Sequence, residues 1–206
     1  MDSDSNISDS NFGVIILAGG FSSRMNFPKA WLPYNESESF LSHIVNEYDK
    51  FGCNNIVVVL NNQFFTDRCD ELSELREKAT VVKNLFPGNG RTFSIQLALE
   101  YVNDSDYTFI HNVDNPFVEL DTLNRLSKER NREGFTSPKY LEKGGHPILL
   151  SQKVIAKLSD CNPQRNLKDF LSLVPRIQVE VKDETVLYNI NTPADYEKYF
   201  QHLQLA

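Results

Sequence analysis

The sequence of 206 residues contains no long apolar run, few cysteines and no excess of positive charge. No stretch reaches the about 18 consecutive apolar residues that a transmembrane helix requires, and the first residues lack the basic and apolar segments of a secretory signal. The 21 Lys and Arg residues are outnumbered by 28 Asp and Glu residues, which gives a net charge of −7. These absences predict a cytoplasmic protein that binds neither nucleic acid nor a membrane.

Cysteine and histidine also lack the spacings of a metal site. Cys53, Cys69 and Cys161 are far apart and form no CxxC pattern, so we expect reduced thiols rather than a disulfide framework or a zinc site. The four histidines form neither HxxxH nor HExxH. An acidic chain of this kind can bind an anion only at a local site whose charge overcomes the overall field.

The distribution of apolar residues predicts a short tail and one domain. Residues 1–11 contain three Asp, four Ser and two Asn and no apolar run, so we expect a disordered acidic tail before a single domain over residues 12–206. The predicted strands are residues 12–17, 55–60, 80–83, 107–111, 134–138, 146–150 and 186–188. The predicted helices are residues 40–51, 65–79, 92–102, 121–131, 152–158, 167–173 and 193–203. This alternation is typical of an α/β fold in which helices cover both faces of a mostly parallel sheet.

Ligands of such sheets bind beyond the carboxyl ends of the strands, and residues 17–29, here called the first loop, follow the first predicted strand. The loop supplies two glycines, two hydroxyl groups and two cations, which are Gly19, Gly20, Ser22, Ser23, Arg24 and Lys29. Glycines permit a tight turn whose successive N–H groups can bind an anion. The pattern favours a triphosphate site, although a tight turn with solvated charges would use the same residues.

The first loop also carries a specific resemblance. LAGGFSSRMNFPKAWLP, which begins at Leu17, resembles the LAGGxSxRMGxxKxLLP signature of MobA-like nucleotidyltransferases. These enzymes couple a nucleoside triphosphate to a phosphorylated acceptor and release pyrophosphate. The resemblance implies a three-layer Rossmann-like fold with a mostly parallel mixed sheet. It implies that Arg24 and Lys29 are catalytic and that the segment from Leu17 and Ala18 onward binds the nucleotide. Asn26 replaces the usual glycine of the signature, and asparagine tolerates a positive φ better than most residues.

Two later turns resemble the metal-binding segments of the same family. Asp114 stands in a DxP turn whose aspartate holds Mg²⁺ in the family, although an aspartate before Asn-Pro is also a common turn former. Mg²⁺ prefers hard oxygen ligands and takes one or two carboxylates together with phosphates and water. The later segment YNINTPADY is similar to the family's [DN]-[IV]-[DN]-TPED pattern. This similarity implies that Asn189 binds the nucleotide and Asn191 the metal, while Thr192 also fits a helix N-cap.

Two further segments bear on the base and the acceptor. Residues 90–95, GRTFSI, look like the GMxxSL segment of the molybdenum-cofactor cytidylyltransferase branch, which implies that Gly90 and Ser94 border a pyrimidine; Ser94 also suits a helix start. Residues 143–150, KGGHPILL, are similar to that branch's RRGHPVLF, which implies that His146 faces the acceptor. The branch's GDxGAR segment, which helps to hold the acceptor, is replaced here by residues 160–165, DCNPQR, and the resemblance implies that only its arginine is retained, as the acceptor-binding Arg165.

The expected activity is Mg²⁺-dependent transfer of a nucleoside monophosphate, with CMP favoured, from a nucleoside triphosphate to a phosphorylated small molecule such as molybdopterin. Two alternatives stay open. The first is a catalytically retired relative that binds a nucleotide as a sensor or partner subunit. The second is a transferase that acts on a sugar phosphate, phosphocholine or a methylerythritol phosphate, because the fold and the phosphate site are shared. We expect a monomer or a weak homodimer.

Overall fold

In the part of the chain that the computed structural model describes, residues 10–22, 24–25 and 27–201, eight strands form one sheet. The strands are β1 (Phe12–Ala18), β2 (Asn55–Asn61), β3 (Thr80–Asn84), β4 (Tyr107–Asn112), β5 (Phe135–Tyr140), β6 (Lys143–Gly144), β7 (Ile148–Ser151) and β8 (Arg176–Glu180). The helices are α1 (Phe40–Phe51), α2 (Phe64–Asp67), α3 (Cys69–Leu75), α4 (Gly90–Gln96), α5 (Leu120–Lys128), α6 (Gln152–Ser159), α7 (Leu167–Leu171) and α8 (Pro193–Phe200). Short 3-10 turns lie at Lys29–Trp31, Pro87–Asn89, Leu99–Val102 and Glu184–Leu187. Of the described helices, none is both long and apolar enough to span a bilayer.

The sheet is mixed and its central part is parallel. The strand order is β3-β2-β1-β4-β7-β5-β6, and β8 pairs with β5. Strands β3, β2, β1 and β4 run in one direction, whereas β7 is antiparallel to both β4 and β5. Leu17 lies opposite Asn112 and Ala18 opposite Leu60. The carboxyl ends of β1, β2 and β4 are therefore level, and the loops that follow them meet at one edge of the sheet.

Side chains of β1 alternate between two separate apolar cores. Val14 and Ile16 belong to the core that α1, α3, α5 and α8 cover, and Ile15 belongs to the core under α4, α6 and α7. All three side chains are fully buried, as expected of a central strand covered on both faces. The predicted three-layer α/β architecture with a mostly parallel mixed sheet is confirmed.

Several predicted elements differ from the structure. The strand predicted at residues 186–188 is wrong, because Val186 and Leu187 belong to the 3-10 turn Glu184–Leu187 and Tyr188 is its C-cap. The last strand is instead β8, most of whose side chains are exposed. The helix predicted over residues 65–79 is divided into α2 and α3, since Arg68 leaves the helical region with φ −138°. The helix predicted over residues 92–102 begins at Gly90, and after Gln96 it gives way to a 3-10 turn.

The turn between β5 and β7 and the start of the domain also differ. Gly144 and Gly145, between the strands predicted at residues 134–138 and 146–150, are where the sequence predicts the turn. The chain instead turns at Leu141 and Glu142, with positive φ values of 43° and 67°, and Gly144 lies in β6. Residues 1–9 of the predicted tail lie outside the described residues. Asn11 donates its backbone N–H to the Asp106 carboxylate at 2.9 Å and its side-chain amide to the Asp104 carbonyl at 2.7 Å. Ordered structure therefore begins before Phe12.

Gly134, where β5 meets β8, should not tolerate a larger side chain. A Cβ at Gly134 would overlap the carbonyl oxygen of Pro175, and this oxygen accepts the Phe135 N–H at 2.9 Å. Since backbone cannot yield as a side-chain end does, Gly134→Ala should lower the free energy of unfolding by about 1–3 kcal/mol, the usual cost of overpacking. Urea unfolding measures it. Gly88→Ala is the control, because no atom lies within 4 Å of a Cβ there; an equal loss in both variants would contradict the prediction.

Candidate active site

The first loop turns at a serine. Ser22 has a φ of +49°, its carbonyl accepts the Met25 N–H at 2.9 Å, and its hydroxyl accepts the Lys29 N–H at 3.2 Å. Neither Gly19 nor Gly20 has a positive φ in the range that L side chains avoid, and a Cβ at Gly20 would meet no atom within 4 Å. Gly20 therefore leaves open space beside the loop, whereas a Cβ at Gly19 would contact the backbone of β2 at 3.6 Å. The residue with the left-handed backbone conformation that turns the loop is Ser22. Ser23 lies outside the described residues.

Three segments that are far apart in sequence converge on Lys29. Its Nζ donates to Asn191 Oδ1 at 2.8 Å and lies 4.0 Å from Asp114 Oδ2. Arg24 Nη2 donates to the same Asn191 oxygen at 3.3 Å. The first loop, the turn after β4 and the segment before α8 thus bring the predicted cations, the predicted carboxylate and one predicted asparagine to one place.

The cluster is partly buried, and burial lowers the pKa of its lysine. The side chains of Lys29 and Asp114 are 12% and 19% exposed. Burial lowers the pKa of the Lys29 ammonium below its usual value, the nearby Asp114 carboxylate opposes this shift, and Arg24 adds to it. The second carboxylate oxygen of Asp114, Oδ1, is buried without a hydrogen bond to any described residue. A buried acceptor without a partner is costly in a folded protein, so this oxygen is suited to a ligand.

A buried histidine and asparagine hold the Asp114 turn. Asn115 donates its side-chain amide to the backbone carbonyls of Thr185 and Tyr188 at 3.0 Å and 2.5 Å. The backbone carbonyl of Asn115 lies 2.7 Å from His111 Nε2. Since a carbonyl only accepts, Nε2 carries the proton, and Nδ1 accepts from the Tyr48 hydroxyl at 3.0 Å. These contacts tie the end of β4 to the segment before α8.

The segment before α8 is fixed by a capping box. Thr192 caps the helix, as its position before a proline predicts, by accepting the Asp195 N–H at 3.2 Å. The Asp195 carboxylate accepts the N–H groups of Asn191 and Thr192 at 2.9 Å and 2.8 Å, and these bonds lower its pKa. Asn191 is thereby oriented toward Lys29. Asn189 is exposed and is absent from the described lining of the cavity below.

A cavity of about 210 Å³, the first cavity, lies beside the cluster. It is lined by Leu17, Ala18, Gly19, Gly20, Ser22, Lys29, Ala30, Pro87, Gly90, Arg91, Ser94, Asn112, Val113 and Asp114. Ser94 donates its hydroxyl to the Gly90 carbonyl at 2.9 Å and accepts from the buried Asn84 amide at 3.1 Å. Ser94 therefore stabilises the start of α4 and also borders the cavity, so both predicted roles are compatible with its position.

A second cavity of about 910 Å³ adjoins the first, because Gly90 and Arg91 line both. Predicted acceptor residues His146 and Arg165 line it, and Thr92 donates its hydroxyl to the Arg165 carbonyl at 2.6 Å. The His146 Nδ1 is buried without a hydrogen bond to a described residue. Burial and the charge of Arg91 lower the pKa of His146, so this ring is neutral near pH 7.

Lining residues of the second cavity include three cations that the sequence patterns do not indicate: Arg91, Lys168 and Arg176. Arg91 stands where the GMxxSL segment has a methionine. Lys168 follows the altered GDxGAR region. Arg176 begins β8, and the alternation of apolar and polar residues in that strand is the signal that could have located it.

Comparison with known proteins identifies the family. Residues 14–181 match the MobA-like NTP transferase domain. The chain belongs to the MobA-like NTP transferase family. Its membership agrees with the signature in the first loop and with the convergence of that loop on Asp114.

Relatives within the MobA-like family differ in the base that their names specify. A probable molybdenum cofactor guanylyltransferase of Clostridium perfringens is 28% identical over 195 residues, which cover 88% of this chain and 92% of that protein. The molybdenum cofactor cytidylyltransferase of Escherichia coli is 26% identical over 185 residues, with the same coverage of 88% and 92%.

The fold is shared with solved structures. Rv0371c from Mycobacterium tuberculosis matches with a TM-score of 0.74 and 20% identity over 94% of this chain and 100% of that chain. A further structure of Rv0371c is a complex with manganese. The Rossmann-like fold implied by the signature is thereby confirmed.

The buried His111 predicts a specific dependence of stability on pH. Burial lowers its pKa to about 3 in the folded protein, whereas an unfolded histidine titrates near 6.5. Between these values only the unfolded chain binds the proton. The free energy of unfolding should therefore fall with decreasing pH, by up to about 1.4 kcal/mol per pH unit from this group. Urea unfolding between pH 7 and pH 4 measures this slope.

His111→Gln should flatten that slope, because glutamine takes up no proton. Tyr48→Phe is the control, since it removes the hydroxyl bonded to His111 but keeps the ring that titrates. An unchanged slope in His111→Gln would show that this histidine is not the group responsible.

Proposed function

We propose that the protein transfers a nucleoside monophosphate from a nucleoside triphosphate to a phosphorylated small molecule and releases pyrophosphate. The observation that carries this proposal is the contact of Lys29 with Asn191 and Asp114 beside the first cavity. Membership of the NTP transferase family supports it. The second cavity, which adjoins the first at Gly90 and Arg91, offers a place for the acceptor.

The residues of the first cavity suit the handling of a triphosphate. The backbone of the first loop, Arg24 and Lys29 would bind the phosphates and the departing pyrophosphate. An acceptor phosphate oxygen forms a bond to the α-phosphorus in line, and the bond from that phosphorus to the oxygen bridging the β-phosphate breaks. Pyrophosphate leaves with the electron pair. No general base is needed because the acceptor phosphate is already ionised. Positioning and charge neutralisation provide the acceleration.

A Mg²⁺ ion fits this site. Asp114 Oδ1 is a buried carboxylate oxygen that lacks a described partner, and Asn191 presents a neutral amide oxygen nearby. The described residues contain no group of three or more His, Cys, Asp or Glu that could hold a metal by themselves. A site with few protein ligands is typical of Mg²⁺ shared with phosphates and water. Asp114 and Asn191 would hold the ion, which when bound neutralises phosphate charge.

We propose CTP as the preferred substrate and molybdopterin as the acceptor. The CTP preference rests on the likeness of residues 90–95 to the cytidylyltransferase segment and on the position of Gly90 and Ser94 in the first cavity. The name of the Escherichia coli relative supports CTP, whereas that of the Clostridium perfringens relative would favour GTP. Both names specify the molybdenum cofactor, which supports a molybdopterin acceptor. Release of pyrophosphate from CTP with molybdopterin tests the proposal directly. Tight nucleotide binding without turnover would support the retired relative instead.

Removal of the central lysine should nearly abolish transfer. Lys29→Ala should reduce the rate of pyrophosphate release by about 10²-fold or more, as loss of one preorganised stabilising group does in other enzymes. The control is Lys128→Ala, at the exposed end of α5, which should keep the wild-type rate. Equal rates for Lys29→Ala and wild type would remove Lys29 from the chemistry.

Thermal stability should report both the base and the metal. CTP should raise the melting temperature more than GTP, ATP or UTP at equal concentration, and Mg²⁺ should increase that rise, because a ligand that binds only the folded state stabilises it. Asp114→Asn should lose the increment that Mg²⁺ adds. The control Asp121→Asn changes an exposed carboxylate that pairs with Arg125 on α5. A larger shift with GTP would reassign the base, and an intact Mg²⁺ increment in Asp114→Asn would place the metal elsewhere.

A further inference from the structure

The second cavity concentrates positive charge in an acidic chain. Its described lining contains four cations, Arg91, Arg165, Lys168 and Arg176, and no Asp or Glu. The whole chain carries a net charge of −7. Such a local excess creates a field that attracts anions into a concave site.

These cations are also not neutralised by neighbours. None of the four forms an ion pair with a carboxylate among the described residues. Lys139, on the same strand β5 that borders the cavity, pairs with both Glu142 and Glu180 at 3.0 Å and 3.3 Å. The charge inside the cavity is therefore available to a ligand, unlike the charge just outside it.

Arg176 is held at a defined place on the cavity wall. Its Nε donates to Ser137 Oγ at 2.9 Å, and its guanidinium carbon lies 5.7 Å from the centre of the Phe135 ring. The absence of a side chain at Gly144 gives the guanidinium room, because a Cβ there would overlap its Nη2. An anchored guanidinium loses little side-chain entropy when it binds an anion.

The remaining residues that line the second cavity indicate what kind of anionic molecule would fit it. The cavity has an apolar portion made by Phe135, Ile148, Leu171 and Val174, of which Phe135 and Ile148 are buried. At about 910 Å³ it is much larger than a single phosphate requires. Apolar walls with a few fixed polar groups are typical of sites for small organic ligands.

We propose that the acceptor has a ring-sized, partly apolar body with two separate anionic groups. This inference rests on the proposed function. The reacting phosphate lies at Arg91, where the two cavities join, and the second anion binds to Arg176 and Lys168. These two residues thereby select doubly anionic acceptors over singly anionic ones.

The experiment uses matched pairs of aryl phosphates as probes. Each pair bears, on linkers of increasing length from the ring, either a carboxylate or the uncharged carboxamide of the same shape. Binding to the full chain is measured by calorimetry, with and without saturating CTP and Mg²⁺. At least one carboxylate should bind about ten-fold or more tightly than its carboxamide, as expected for a charge-assisted contact. Equal binding within every pair, or no binding of any probe, would overturn the proposal.

Variants assign the preference to its residues. Arg176→Gln and Lys168→Gln should each remove most of the preference for the carboxylate probe over its carboxamide. Gly144→Ala should weaken this preference by displacing the Arg176 guanidinium, while the net charge stays unchanged. Lys168 is exposed, so its variant stays informative if Arg176→Gln fails to fold. The control is Arg125→Gln on α5, whose residues pack in the core on the opposite face of the sheet. A preference that survives in Lys168→Gln and in whichever Arg176 or Gly144 variant folds would overturn the assignment.

Different measurements test the proposed transferase activity and the proposed doubly anionic acceptor. The CTP-dependent rise in melting temperature is measured on wild type and on each variant, and Arg176→Gln should retain it. Absence of that rise in wild type would count against the transferase, whereas the titrations without nucleotide still decide whether the second cavity selects two anions.

Discussion

The hydrogen bond between Lys29 and Asn191 joins segments 162 residues apart in the sequence. An ammonium group that loses water must gain partners, and burial does lower the pKa of Lys29. Asn191 and Asp114 supply those partners from two other segments. They can do so only because β1 and β4 end at the same level of a parallel sheet. The position of Lys29 in the site therefore depends on the architecture of the sheet.

The arrangement around Lys29 is supported by groups that do not line the first cavity. His111 is fully buried and neutral, and it orients Asn115, which in turn holds the carbonyls of Thr185 and Tyr188. Ile190 then donates its N–H to the Asp114 carbonyl at 2.6 Å. Hydrogen bonds therefore join the turn after β4 directly to the segment before α8. These hydrogen bonds favour one arrangement of the two segments, while the Asn115 side-chain oxygen is buried without a hydrogen bond to a described residue.

The sequence predicts which residues converge at the candidate site better than it predicts the edge of the sheet, for physical reasons. The central strands are continuous apolar runs because helices cover both faces, and the first loop and the Asp114 turn follow them directly. Strand β8 lies beside β5 with most side chains exposed, so burial leaves a weak pattern there. The contribution of Arg176 depends on Ser137, Phe135 and Gly144. Such contacts between distant segments leave no periodic signal in a single sequence.

An asparagine at position 191 also sets the electrostatic balance of the site. Its amide oxygen accepts from both Lys29 and Arg24, so it orients two cations without neutralising either. An aspartate there, which the family pattern equally allows, would place a second carboxylate beside Asp114 and reduce the attraction for a triphosphate. In the proposed function, the neutral residue would leave positive charge for the phosphates and would assign the anionic part of a metal site to Asp114 alone. Binding of an ion would then depend strongly on phosphate oxygens, which couples the metal to the presence of the nucleotide.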